Sequence, residues 1–458
     1  MHIPHPEIFK AYDIRGIVGQ SLTESVVEAI GRAIGSEALA AGDSAVVVGR
    51  DGRLSGPAIA GALIEGIVAS GCDAVDIGVV PTPLTYFATH HLAIGSAVSV
   101  TGSHNPPDYN GLKIMLAGTT LAAERIQELR HRVEAGDLKS GAGQSRKADV
   151  VSAYLARVSE DIHLERSLKV VADCGNGVAG LVAPKLLRLI GCEVIDLFAE
   201  VDGNFPNHHP DPSQVQNLKD LIDTVQREGA DLGLAFDGDG DRLGVTTARG
   251  QVIWPDRQMI LFAEDILGRS PGAEIVYDVK CSRLLPAAIE QAGGKATMWK
   301  TGHSFIKGKL KESGAALGGE MSGHIFFKER WYGFDDAIYA AARLCELLSG
   351  RAQTPTEVFA AIPDTVNTPE LRLEMSEGEH HQLISELIAN ASFPDGEICH
   401  IDGIRVDFTD GFGLARASNT TPTVILRFEA DAQEGLTRIM DSFRAQMLAL
   451  RPGLDLPF

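Results

Sequence analysis

The sequence is poor in positive charge, has no closely spaced cysteine pair and contains no long apolar run. Its 41 lysines and arginines face 61 aspartates and glutamates, a formal net charge of −20. So acidic a chain disfavours sequence-independent binding to nucleic acid or to anionic membranes, both of which need basic surface, and neither is expected as a partner. Any anionic substrate must instead meet a local cluster of arginine, lysine and metal. The six cysteines, at 72, 174, 192, 281, 345 and 399, form no C-x-x-C pair. That excludes a dense disulfide framework and suits reduced, mostly buried thiols. No uninterrupted apolar stretch could span a bilayer, and Met1-His2-Ile3-Pro4-His5-Pro6 has neither a basic n-region nor an apolar h-region. A cytoplasmic protein is expected.

What remains is the composition of an ordinary soluble globular chain, 44% apolar and 22% charged. At 458 residues it exceeds what one core organises, so three or four domains are expected. A pattern repeats three times. β-Branched runs end in Asp-containing loops at Val46-Val47-Val48-Gly49-Arg50-Asp51-Gly52, Val170-Val171-Ala172-Asp173-Cys174-Gly175 and Ile275-Val276-Tyr277-Asp278-Val279-Lys280. A helix follows each. In the first copy Pro57 suits the opening turn, and Ala60, Leu63, Ile64, Ile67 and Val68 form the apolar stripe. Second strands follow glycines 71, 191 and 293, and third strands (97–100, 232–236, 315–317) lead into the loops richest in chemistry. Such alternation implies α/β domains with mostly parallel sheets, whose ligands gather at strand carboxyl ends. After residue 363 the pattern breaks into an α+β unit. The expected division is 1–148, 149–251, 252–363 and 364–458: three similar α/β domains and a C-terminal α+β domain around a central cleft.

The most telling loop is Asp237-Gly238-Asp239-Gly240-Asp241-Arg242. Three carboxylates at alternate positions, spaced by glycines, can converge on one small hard cation, here read as Mg²⁺. An EF-hand would want glycine sixth and glutamate twelfth, where Arg242 and Ala248 stand. A bland Asp/Gly turn is the competing reading. Thr101-Gly102-Ser103-His104-Asn105-Pro106-Pro107 sets a serine on a glycine-relaxed turn. A serine hydroxyl needs a base, a metal or prior modification to act, and beside a metal loop phosphorylation of Ser103 is the economical answer. The adjacent histidines of Asn207-His208-His209-Pro210 invite a zinc reading, but side chains pointing different ways favour an interdomain loop.

Together the 101–106 and 237–242 loops, Gly319-Glu320-Met321-Ser322-Gly323-His324 and Arg416-Ala417-Ser418-Asn419-Thr420 resemble the α-D-phosphohexomutases, most closely their bacterial phosphomannomutase/phosphoglucomutase branch. The resemblance covers essentially the whole chain. It implies a monomeric isomerase acting on small hexose phosphates, with Mg²⁺ as cofactor and a hexose 1,6-bisphosphate as intermediate and activator. It makes Ser103 the phosphoserine, itself a metal ligand with Asp237, Asp239 and Asp241. His104, Arg15, Lys113, Arg242 and His324 complete the implied catalytic set. Glu320 and Ser322 match sugar-hydroxyl ligands; Arg416, Ser418, Asn419 and Thr420 match the clamp for the nonreacting phosphate; Tyr12, Lys280 and His303 match ligand-cleft positions. Phosphoglucosamine mutase is the nearest alternative, though that branch more often has glutamine at the place of Met321. From other classes, a noncatalytic sugar-phosphate-binding protein need not retain Ser103 with three aspartates, and a serine phosphomonoesterase would release orthophosphate and is expected to show a richer His/Asp two-metal set.

Overall fold

The computed structural model describes residues 4–458. Three of its four sheets share one core arrangement. In the first, the strands Asp73–Val79, Ala45–Arg50, Ser96–Val100 and Tyr109–Leu116 lie side by side in that order; Ile14–Ile17 and Ser145–Lys147 extend the sheet. The second carries Glu193–Leu197, Lys169–Asp173, Leu232–Phe236 and Leu243–Thr247, and the third Lys295–Trp299, Glu274–Asp278, Leu317–Gly319 and Ile325–Phe327. In each the first three strands are parallel and the fourth returns antiparallel. The parallel pairs need crossover helices, which is why strand and helix signals alternate along the chain. The antiparallel returns, of eight, five and three residues, follow directly after the loops at 101–107, 237–242 and 319–324, so each loop is the crest of a hairpin.

The third strand of the third unit runs Leu317–Gly319, two residues later than the expected 315–317. Ala315 instead seals the end of the helix His303–Ser313 inside a small apolar cluster with Ile306, Leu310 and Phe326. The C-terminal domain is a six-stranded antiparallel sheet packed by the helices Glu379–Asn390 and Gln433–Leu450. Its strand Gly411–Ala417 carries two glycines and an arginine, which interrupt the usual β pattern. No described helix is long and apolar enough to cross a membrane.

One apolar core runs from the first unit into the third. Within it Phe87, Tyr154 and Trp331 meet edge to face, with ring centroids 5.4 and 5.8 Å apart, and Trp331 stacks on Tyr339 at 4.3 Å. Such aromatic pairs add about 0.5–1.5 kcal/mol each beyond their buried area. The C-terminal domain has its own core and is tied on largely by polar contacts: Arg405 donates to the carbonyls of Val279 and Cys281 at 2.7 and 2.8 Å, and Ser282 to Glu429 at 2.8 Å.

Candidate active site

The serine loop is held from beneath by an arginine. Arg53, fully buried, donates to the carbonyls of Ser103, Asn105, Pro106 and Tyr109 at 2.5–3.0 Å, and its Nε reaches Asp51 Oδ2 at 3.2 Å. Asp51 in turn accepts from Thr101 Oγ1 at 2.8 Å and from the Gly102 amide at 3.1 Å. Burial pushes the Asp51 carboxyl up, against the pull of Arg53. This cradle fixes Ser103 at φ +48°, a left-handed conformation costing a side-chain-bearing residue roughly 1–2 kcal/mol. Ser103 Oγ thereby sits 3.1 Å from Asp237 Oδ2 and 3.2 Å from His104 Nδ1. The sequence pointed to the Asp51 loop but not to Arg53, since an arginine two residues past an aspartate is a common surface pair.

The metal loop meets the serine loop closely. A Cβ on Gly238 would lie 2.5 Å from the Ser103 carbonyl oxygen, so only glycine lets the two backbones approach this far. Asp237, Asp239 and Asp241 are fully buried and bring carboxylate oxygens within 4.8 Å of one another. Asp239 Oδ1 and Asp241 Oδ1 have no hydrogen-bond partner, while the two Oδ2 atoms meet Lys113 Nζ at 2.7 and 2.5 Å. Orphaned, converging, hard oxygen donors fit a small divalent cation such as Mg²⁺. Burial, then Asp241 and Asp239, push the Asp237 carboxyl well up; burial opposes ionisation of Asp241 too, but Lys113 and His324 hold it well below the usual range. Lys113 thus lies on the acidic cluster, with no hydrogen bond to Ser103. Arg15 pairs with Asp13 and Asn105, at the flank of the serine loop.

The loop that bears Glu320 folds onto the metal loop. Leu243 donates its amide to the Gly323 carbonyl at 3.0 Å, and Arg242 Nε reaches His324 Nε2 at 3.4 Å and Asp237 Oδ2 at 3.8 Å. His324 Nδ1 lies 2.8 Å from Ser322 Oγ and 3.3 Å from Glu320 Oε2, and its Nε2 3.3 Å from Asp241 Oδ1. Burial disfavours its charge, yet Asp241 and Glu320 outweigh that and push it up to about 9. Glu320 also caps the Gly302 amide. Tyr12 stands edge-on to His303 at 5.4 Å, and His303 stacks on His324 at 5.8 Å.

Farther along the cleft, Lys280 Nζ contacts Glu370 at 3.1 Å; burial opposes the Glu370 charge, but Lys280 brings that carboxyl down to about 2. Arg416 is buried, and its only hydrogen bond among the described residues runs from Nε to Asp402 at 2.9 Å. Ser418 and Thr420 bond within their own turn, and Asn419 is half-buried beside them. His208 and His209 point apart, to Asp173 at 3.0 Å and to the His104 carbonyl at 2.5 Å. They tie the second unit to the serine loop and form no metal site. Three hairpin crests therefore meet at one buried centre, with Arg416 approaching from the fourth domain: a buried hydroxyl, three converging carboxylates and cationic neighbours, an arrangement chemically suited to phosphoryl transfer.

Comparison with known proteins agrees. The chain matches the phosphoglucomutase/phosphomannomutase α/β/α domains I, II and III over residues 6–140, 152–250 and 254–366, and the C-terminal domain over 370–446. It is 55% identical over 451 residues to the phosphomannomutase/phosphoglucomutase of Pseudomonas aeruginosa strain PAO1, covering 98% of this chain and 97% of that protein. Against the phosphoglucomutase of Neisseria gonorrhoeae it is 52% identical over 443 residues, 96% of each. A crystal structure of a phosphoglucomutase/phosphomannomutase family protein from Burkholderia thailandensis superposes with a TM-score of 0.94 at 52% identity over 99% of both chains. The chain belongs to the phosphoglucomutase/phosphomannomutase family and is an isomerase.

Proposed function

We propose that this enzyme reversibly moves a phosphoryl group between C1 and C6 of mannose and glucose phosphates, by way of phosphoserine 103 and a hexose 1,6-bisphosphate. The observation that carries the proposal is the 3.1 Å approach of Ser103 Oγ to Asp237 at the meeting point of three loops. Asp237, Asp239 and Asp241 would hold Mg²⁺, with the Ser103 phosphate as a further ligand. When bound, the ion neutralises charge on the transferring group.

The protein's own groups do the rest. The Ser103 Oγ–P bond breaks as the substrate's free hydroxyl oxygen bonds to phosphorus. That hydroxyl's proton leaves to the cleft wall, where His324, Lys113 and Arg15 are the candidates for proton transfer and charge stabilisation. Arg242 braces the metal loop. The bisphosphate then turns over and returns its other phosphate to Ser103 Oγ. Arg416, Ser418, Asn419 and Thr420 would clamp whichever phosphate is not reacting, since planar guanidinium and hydroxyl donors suit phosphate oxygens whatever carbon lies behind them. Glu320 and Ser322 would take hydroxyls common to both sugars, with Tyr12, Lys280 and His303 lining the cleft.

Incubation with mannose 1-phosphate and with glucose 1-phosphate, resolving the 6-phosphates from orthophosphate, tests this. Conversion of both without net phosphate release is expected. Release of orthophosphate alone would make the protein a phosphatase.

A further inference from the structure

Lys307 takes no part in the steps above, yet it is buried beside the cleft and held on three sides. It lies one helical turn after His303 on the helix His303–Ser313 and is buried. Its Nζ donates to Asp335 Oδ1 at 2.8 Å, sits 4.1 Å from the centre of the Tyr86 ring, and approaches His303 Nδ1 to 3.0 Å.

Burial pulls the Lys307 ammonium down, but the Asp335 carboxylate 2.8 Å away opposes this and holds the proton on Nζ; an ammonium has donors and no lone pair, so this last contact requires His303 Nδ1 to be the acceptor. A neutral imidazole that accepts at Nδ1 carries its proton on Nε2. His303 Nε2 is buried and has no hydrogen-bond partner among the described residues. Its N–H is thus left open beside Tyr12 and His324. Burial, Lys307, Lys113 and His324 all hold His303 well below the usual histidine range, against a smaller pull from Asp241, which keeps the ring neutral.

The competing arrangement is visible too. Asp335 Oδ2 lies 3.5 Å from the same Nδ1 and has no hydrogen-bond partner of its own. A carboxylate beside an imidazole ordinarily claims the ring proton, which would put the proton on Nδ1 and leave Nε2 a bare acceptor. Lys307 occupies that nitrogen and reverses the polarity of the ring.

We infer that Lys307, anchored by Asp335, is a positioning residue that locks His303 in its Nε2–H tautomer, so that the imidazole offers one fixed N–H donor to an oxygen of the bound sugar phosphate. Only the last clause rests on the proposed function; the lock is a property of the ligand-free protein.

The test is ¹⁵N NMR of the histidine-labelled, ligand-free enzyme at about pH 8, where an ordinary histidine is neutral, with His303 assigned through His303→Gln. Expected are a protonated Nε2 and an unprotonated Nδ1. In Lys307→Met the proton should move to Nδ1, facing Asp335, and kcat/KM for both hexose 1-phosphates should fall at least about tenfold, as expected when a positioned donor is lost. Lys307→Arg, which keeps a donor-only cation, should restore the Nε2–H signature at least in part. Because Lys307→Met leaves Asp335 unpaired, the charge-neutral Lys307→Met/Asp335→Asn pair serves if the single variant does not fold; its His303 should no longer hold a single tautomer. A wild-type spectrum showing Nδ1–H or an imidazolium overturns the lock, as does Lys307→Met with an unchanged tautomer and unchanged kcat/KM. If the Nε2–H signature appears but neither sugar is isomerised, the lock stands and the proposed reaction fails.

Discussion

Replacing Lys113 by methionine separates its electrostatic role from that of the metal. Lys113 Nζ lies 2.7 and 2.5 Å from two fully buried carboxylates and is the only ammonium among the described residues in contact with the acidic loop. Methionine keeps the apolar stem and removes the charge. Stranding a buried partner in this way costs roughly 3–5 kcal/mol, less whatever Asp237 recovers by holding a proton, for which its raised pKa equips it. Bound Mg²⁺ would supply the missing charge and bind more tightly to the variant, where no lysine competes for the same oxygens; a hundredfold difference in Kd narrows the gap by about 2.7 kcal/mol. The variant should therefore melt roughly 10 °C below the parent in EDTA, taking about 2–4 °C per kcal/mol for a domain of this size. In saturating Mg²⁺ the gap should shrink to a few degrees by the same conversion. Differential scanning fluorimetry in the two buffers reads both numbers without reference to turnover. Equal losses with and without Mg²⁺ would refute the idea that lysine and metal share one set of oxygens, and so would an EDTA melt unchanged from the parent.

Ser103→Ala should fold normally and lose nearly all isomerase activity, together with the covalent phosphate seen by intact-mass and peptide mapping; phosphate located on another residue would move the nucleophile elsewhere. Arg53→Met should lower kcat with little change in KM, because the arginine touches the serine loop's carbonyls and not the sugar, and it should destabilise the protein by about 2 kcal/mol or more for the stranded Asp51 and the unpaired carbonyls; a change confined to KM would contradict this. Asp336 caps the helix Ala337–Ser349 and accepts from Tyr154, and burial pushes its carboxyl up to about 7 despite the opposing bonds from Tyr339 and Tyr154. Its folded pKa exceeds the unfolded value near 4, so its contribution is full below about pH 4 and is lost as pH rises to about 7, by up to 1.4 kcal/mol per unit. Asp336→Asn should therefore gain stability relative to the parent between about pH 5 and pH 8 in urea titrations; a pH-independent difference would rule that out.

Much of the fold could be read in the chain because it is written three times. The runs beginning at Val46, Val170 and Ile275 all became central parallel strands, and the glycines at 71, 191 and 293 precede second strands as expected. The antiparallel return strands escaped notice. Leu243–Thr247 and Ile325–Phe327 are too short to show a period of two, and each follows a loop whose polar residues draw the eye. In the site, Ser103 and the three aspartates stood out through unusual spacing. Arg53, Lys307 and Asp335 did not, because their meaning lies in partners 28 to 56 residues away, such as Asp335 for Lys307 and Tyr109 for Arg53. A lone arginine or lysine in a sequence says nothing of that.

The four-strand core shared by the three sheets places the serine, the three aspartates and Glu320 at the same structural address, the crest between a third and a fourth strand. If one ancestral unit was copied twice, each crest kept its address while its side chains diverged: a serine in one, three aspartates in the next, a glutamate and a histidine in the third. Each crest rises from its own sheet, yet the contacts of Leu243 with Gly323 and of Arg242 with His324 lock the second crest to the third. A change in either copy is therefore felt by its neighbour, and the three must evolve together.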